Sequence, residues 1–320
     1  MFVAEPARGE GTYQGSPKHL LKILSTPDPV DSHERSVVAF GSIAREEATD
    51  ESDLDWTLLI DGQAHPEHWP TTQEIEVRLE SAGFPKPGPT RTFGRMTFSH
   101  ELIHNIGGEE DTNRNLTRRL LLLLESVVVG GESQAYDRVI RSVLRRYIPE
   151  VTERESGAGI SIPRFLLNDI ARLWRTMAVD FATKQWERPG EKWGLRAVKL
   201  RFSRKLIFAS GLLTCYRSGS KPIEEFVRMT PLNILADSVS AYGVHSEISK
   251  ELFDCYDEFV GVVSNSKLRE ELEKIRPDGE AASELFQRMR TLGHRFQDAL
   301  DTVFFGHREI GDLTRKYGVF

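Results

Sequence analysis

Two pairs of residues near the start of the chain have the types and spacing for phosphate chemistry: Gly41 with Ser42, and Asp53 with Asp55. The acids open the run DLDWTLLID, from Asp53 to Asp61. In an extended strand, side chains alternate, so Asp53 and Asp55 face one way while Leu54 and Trp56 turn into a packed face. Two carboxylates one strand step apart repel each other and resist desolvation unless a positive charge lies between them. A divalent cation supplies that charge. Magnesium suits the position, or manganese in its place, because a hard ion takes carboxylates together with substrate phosphate oxygens. Such an ion orients a nucleoside triphosphate and offsets charge at the reacting phosphorus. Gly41 and Ser42 have the complementary task. A glycine after a strand lets backbone approach a phosphate closely, the amides that follow hold an anion, and Ser42 adds a hydroxyl.

The elements that must position these groups are legible on either side. SVVAF reads as a strand closed by Gly41, and DLDWTLLID alternates before becoming wholly apolar, as a strand entering a sheet core does. SPKHLLKILS opens a helix before them, TTQEIEVRLESAGF (Thr71 to Phe84) reads as an amphipathic helix ended by Gly83, and TFGRMTF follows as a strand after the breaker PKPGPT. From Asp111 the pattern turns helical. DTNRNLTRRLLLLLESVVVG, SQAYDRVIRSVLRRYI, RFLLNDIARLWRTMAVDFATKQWE and KWGLRAVKLRFSRKLIFASGLLTCY each read as one helix. The Gly-rich RESGAGISIP separates the second from the third, and further helices fall at 232–242, 248–263 and 281–303. The expected fold is α+β: a small mixed-sheet domain over 1–110 followed by a larger all-helical domain over 111–320, with the boundary between Gly107 and Asn113.

The joined pattern resembles the nucleotidyltransferase superfamily that includes DNA polymerase beta. Phe40, Gly41, Ser42, ten intervening residues, then Asp53, Leu54, Asp55 and Trp56 match its signature, and GSIAREEATDESDLD looks like the bacterial branch that contains the uridylyltransferases of nitrogen-regulation proteins. The resemblance implies that Gly41 and Ser42 bind the triphosphate, that Asp53 and Asp55 ligate magnesium and act in catalysis, and that Arg45 supports the phosphate loop. It also implies a third carboxylate from a later strand. TFGRMTF contains no acid, and the nearest candidate is Glu101, which serves equally as a cap of the helix SHELIHNI. The reaction implied is transfer of a nucleoside monophosphate to an acceptor that is open among protein, an RNA end, a small molecule and another nucleotide. Two alternatives stand beside it: a catalytically inactive nucleotide-binding regulator, and a zinc hydrolase using His100, Glu101 and His104, which match HExxH by position.

In the helical part, Lys192, Arg196, Lys199 and Ser203 recur at steps of four, three and four, and Leu195, Val198, Phe202 and Leu206 form the opposing apolar stripe. By resemblance, a helical domain closes over the nucleotide and supplies a lysine, with Lys199 first and Lys192 or Arg196 next. Asn168, Arg172 and Arg175 share a polar face suited to an interdomain ion pair or to the incoming base, and Asp169 and Asp180 neutralise them locally. Trp193 reads as an anchor of its helix.

Composition bounds the rest. With 320 residues the chain has material for two cores, and 39% hydrophobic with 28% charged residues is a globular balance. The net charge of -6 excludes a generally basic surface, so any nucleic-acid role rests on local charge. Two cysteines, Cys215 and Cys255, exclude a dense disulfide scaffold. MFVAEPARGEGTYQGSPKH contains no signal-like apolar core, and the longest apolar run, Leu120 to Val129, is far too short to span a bilayer. The expectation is a cytoplasmic protein without membrane contact.

Overall fold

The computed structural model describes residues 17–24, 32–49, 52–85, 87, 92–148 and 162–318. The N-terminal segment before Pro17, most of the breaker PKPGPT and nearly all of the Gly-rich loop RESGAGISIP lie outside them. The fold is α+β, and the chain divides into two compact units: Met1–Thr97 with Val127–Tyr136, and Phe98–Ser126 with Asp137–Phe320.

The first unit holds a four-stranded sheet in the order β3-β2-β1-β4. The strands are β1 (Arg35–Phe40), β2 (Trp56–Ile60), β3 (Arg95–Phe98) and β4 (Ser126–Gly131). β1 and β2 are antiparallel, with Arg35 opposite Ile60 and Ala39 opposite Trp56. Every residue of both strands is buried, so this central pair is covered on both faces, which fits its mostly apolar sequence. Polar groups forced inside are paired. The Arg35 Nη1 donates to Thr71 Oγ1 at 3.0 Å, Thr57 Oγ1 donates to the Arg95 carbonyl at 2.6 Å and meets Thr97 Oγ1 at 2.8 Å, and Ser36 Oγ donates to the Glu132 carbonyl. Helix α1 (Pro17–Leu24) and helix α2 (His68–Ser81) pack in the same unit, burying Leu20 and Leu24 from the first and Ile75 and Leu79 from the second. The approach of α1 to the sheet is close: a Cβ at Gly130 would stand 2.9 Å from Leu24 Cβ and 3.2 Å from Val37 Cβ.

The second unit is built of helices α3 (Ser99–His104), α4 (Asn113–Leu124), α5 (Gln134–Tyr147), α6 (Arg164–Glu187), α7 (Trp193–Arg201), α8 (Ser203–Tyr216), α9 (Ile223–Phe226), α10 (Pro231–Ala241), α11 (Ser246–Ser264), α12 (Ser266–Lys274), α13 (Glu284–Asp301) and α14 (Arg308–Leu313). The first turn of α5 belongs to the other unit. At its centre Phe202 stacks on Phe259 at 4.7 Å and meets Phe296 at a tilt at 5.4 Å. α8 is buried along almost its whole length, and Gly211 brings it within 3.0 Å of an Ile170 methyl for a Cβ built there.

Three expectations are corrected. The apolar run from Leu120 to Val129 is not one helix. It ends at Glu125, whose φ of -158° and ψ of 65° leave the helical region, and the β-branched Val127 to Val129 enter β4. That strand carries Val127–Tyr136 back to the first unit, so the division falls at Thr97 and again around this return, not between Gly107 and Asn113. The third concerns KWGLRAVKLRFSRKL, which breaks into α7 and α8 at Phe202 (φ -116°, ψ -85°), where the phenyl ring turns into the aromatic core.

Candidate functional site

The site is built on the β1–β2 hairpin. Beyond Ala39 opposite Trp56, the ladder continues with the Phe40 amide donating to the Asp55 carbonyl at 2.9 Å. The Gly-Ser pair that leaves β1 and the Asp-x-Asp pair that enters β2 therefore occupy the same end of the sheet. Asp53 to Asp55 lie just before β2 and not within it, yet the alternation holds: Leu54 and Trp56 are buried, Asp53 is exposed and Asp55 half-buried. Phe93 covers this end, its ring 4.9 Å from that of Phe40.

Gly41 has φ of 70°, in the left-handed region that a side chain disfavours, and this turns the chain sharply off β1. Residues 41–46 form a single turn closed by Arg45 N to Gly41 O at 3.1 Å and Glu47 N to Ser42 O at 2.8 Å. Among the described residues, the Ser42 and Ile43 amides enter no backbone hydrogen bond. Ile43, buried, pins the turn beneath. Arg45 Nε meets Glu47 Oε2 at 2.7 Å, with both side chains about nine-tenths buried, so this arginine braces the loop. At the far end, the Thr49 amide donates to Ser52 Oγ at 2.8 Å and the Ser52 amide to the Thr49 carbonyl at 2.8 Å, a local lock that delivers the chain to Asp53.

Asp53 and Asp55 offer hard oxygen donors on one side of the chain, and the glycine turn lies at the same end of the hairpin. This donor set fits magnesium, which keeps water and phosphate oxygens for its remaining positions. Among the described residues, no cluster of three or more His, Cys, Asp or Glu side chains forms.

The other residues singled out in the sequence belong to the second unit. Glu101 lies on α3, with a carboxylate oxygen 4.0 Å from Arg118 Nη1. β3 ends at Phe98 and carries no acid. His100 and His104 present their rings side by side on α3, centroids 4.8 Å apart. Lys192 is not on the face of α7: it is the N-cap, with φ of 49°, and its Nζ is 3.3 Å from Glu273. Arg196 is half-buried and donates to the Glu191 carbonyl, and burial lowers its pKa from the ordinary arginine value. Lys199 is half-buried on α7, and its carbonyl accepts from Ser203 Oγ at 3.3 Å. Leu195, Val198, Phe202 and Leu206 are buried as their stripe predicts, although the helix breaks beneath them. Trp193 anchors α7, with its ring 5.2 Å from Phe286.

Sequence reasoning missed one polar cluster in this unit. Arg119, with no exposed surface, donates through Nη1 and Nη2 to the two Asp111 oxygens at 2.9 Å each, through Nη2 to Asp169 Oδ2 at 3.1 Å, and through Nε to the Tyr147 hydroxyl at 2.6 Å. Tyr147 in turn donates to Asp169 Oδ2 at 2.6 Å. Arg172, expected to face a base or another domain or to be neutralised locally by Asp169, donates to Asp111 Oδ2 at 3.0 Å and to its carbonyl at 2.8 Å, with Asp169 Oδ1 4.0 Å from its Nη1. Two arginines and two aspartates balance, every member is paired, and α4, α5 and α6 are tied together. The signal was there: Arg119 lies three residues after Leu116 and four before Leu123, on the buried stripe of α4.

Comparison with protein-family models, with curated proteins and with solved structures returned no match.

Proposed function

We propose that the chain is a magnesium-dependent nucleotidyltransferase that moves a nucleoside monophosphate from a nucleoside triphosphate to an acceptor hydroxyl. One observation carries the reading: the Phe40–Asp55 hydrogen bond puts the glycine turn and the two aspartates at one end of an antiparallel hairpin. The Ser42 and Ile43 amides and the Ser42 hydroxyl hold the terminal phosphates. Asp53 and Asp55 hold the ion, which when bound offsets charge on the phosphates and lowers the pKa of a coordinated hydroxyl. The acceptor oxygen forms a bond to the α-phosphorus, and its proton passes to an aspartate carboxylate. The bond from that phosphorus to the bridging oxygen breaks, and pyrophosphate leaves with the electron pair. Arg45, held by Glu47, keeps the turn in shape.

The test is release of pyrophosphate from labelled triphosphates with Mg²⁺ in the presence of a cell extract that supplies acceptors. The expected result is turnover that Asp53→Ala with Asp55→Ala abolishes while the fold, read by circular dichroism, is kept. Nucleotide binding without pyrophosphate from any triphosphate would replace this reading with a non-catalytic regulator.

A further inference from the structure

α5 concentrates charge in a chain whose sum is negative. It carries Arg138, Arg141, Arg145 and Arg146 against one acid, Asp137, and no lysine. Its other face, Ala135, Val139, Ile140, Val143, Leu144 and Tyr147, is buried. That burial fixes the roll of the helix and turns Arg141, Arg145 and Arg146 to solvent. Asp137, which lies one turn before Arg141, is met from outside the helix by Arg228 at 3.4 Å, so the nearest acid of the face is already neutralised and a further guanidinium stands at its N-terminal edge. Among the described residues, no carboxylate lies within ion-pair distance of Arg141, Arg145 or Arg146.

Two features select the partner. A solvated helix face is usually mixed in charge and rich in lysine or glutamate, whereas the exposed charged residues of this one, Arg141, Arg145 and Arg146, are all arginine. Guanidinium is the planar fork that pairs with phosphate oxygens and is weakly hydrated, so it gives up water readily on binding. Arg141, Arg145 and Arg146 lie within two turns, and at about 1.5 Å per residue their stems span ~7.5 Å along the axis, so they meet successive phosphates of a chain instead of gripping one anion. We propose that the arginine face of α5 binds the phosphodiester backbone of a single-stranded nucleic acid, a surface independent of the reaction proposed above.

The experiment separates the two. Binding of a fluorescein-labelled single-stranded RNA 20-mer to the full chain is read by anisotropy across a salt series, without nucleotide or metal. With three phosphates neutralised, the logarithm of affinity falls against the logarithm of salt with a slope of about -2, at ~0.7 per phosphate for a single strand. Arg141→Gln with Arg145→Gln, two exposed changes, lowers the slope by about 1.4 and weakens binding several-fold at low salt. Asp53→Ala with Asp55→Ala leaves binding intact, so loss of activity and loss of the surface are read independently. Single-stranded DNA run in parallel reports whether the 2′-hydroxyl contributes. The proposal is overturned if the RNA does not bind at 50 mM salt, if the double glutamine variant binds with unchanged affinity and slope, or if polyglutamate or anionic vesicles compete as well as RNA at equal charge.

Discussion

Tyr147→Phe tests the buried cluster by a single atom. The phenol oxygen accepts from Arg119 Nε at 2.6 Å and donates to Asp169 Oδ2 at 2.6 Å. The ring also packs edge-on to Phe165 at 5.2 Å and lies 5.8 Å from the Arg119 guanidinium carbon, contacts that phenylalanine keeps. The substitution therefore removes two hydrogen bonds to charged partners and no packing. Each is worth ~1.5–3 kcal/mol, and the Nε–H left behind is fully buried with nothing to donate to, so the loss is about 3 kcal/mol after allowing for Arg119's bonds to Asp111 and Asp169. In a unit of this size, about 2–4 °C per kcal/mol gives a fall in Tm of ~6–12 °C. Thermal and urea unfolding, followed by far-UV circular dichroism, measure it. A loss below about 1 kcal/mol would refute the claim that this cluster ties α4, α5 and α6 together. The acid limb gives a second readout. Burial acts to raise the Asp111 carboxyl, but hydrogen bonds from Arg119, the Gly107 amide and Arg172, with the Arg119 charge, hold it below the ordinary range. A carboxylate whose folded pKa is depressed contributes stability above its unfolded pKa, near 4, and that contribution is lost as pH falls through the folded value. Stability of the wild type should decline from about pH 4 downward, and Asp111→Asn should flatten that decline.

Two further outcomes follow from packing. A Cβ at Gly194 would meet the Leu272 carbonyl at 2.6 Å and Ile275 Cβ at 2.9 Å. Gly194→Ala should therefore cost about 1–3 kcal/mol in urea unfolding, and an unchanged midpoint would mean that α7 and the end of α12 do not meet as described. Cys215 and Cys255 are buried free thiols, with burial pushing Cys215 up and Cys255 to about 11. Ellman's reagent at pH 8 should label the native chain slowly and both thiols at once in guanidinium, and a rapid native burst would contradict the burial.

The hairpin was legible because each of its signals is local: a period of two in DLDWTLLID, an apolar strand before it, and a glycine where the chain must turn. The return to the sheet at β4 was not, because five leucines followed by three valines form one apolar stretch that serves a buried helix and a buried strand alike. The β-branched valines favour the strand, and only the partner strand β1 decides it. The break at Phe202 has no glycine or proline to announce it; its ring lies between Phe259 and Phe296, which come from residues far along the chain, and the backbone bends to place it there. These misses act on the candidate site unequally. Gly41, Ser42, Asp53 and Asp55 lie at one end of a single hairpin, whereas Ser203 lies beyond the break at Phe202 and Lys192 is the left-handed cap before α7, which leaves only Arg196 and Lys199 on one helix. Glu101 shows the same dependence: its assignment needs a strand to extend past Phe98, but the chain turns into α3 there and the carboxylate faces Arg118. A Glu101→Gln variant that keeps full turnover would leave the two aspartates as the carboxylate pair of the reaction, with magnesium's other positions filled by water and phosphate.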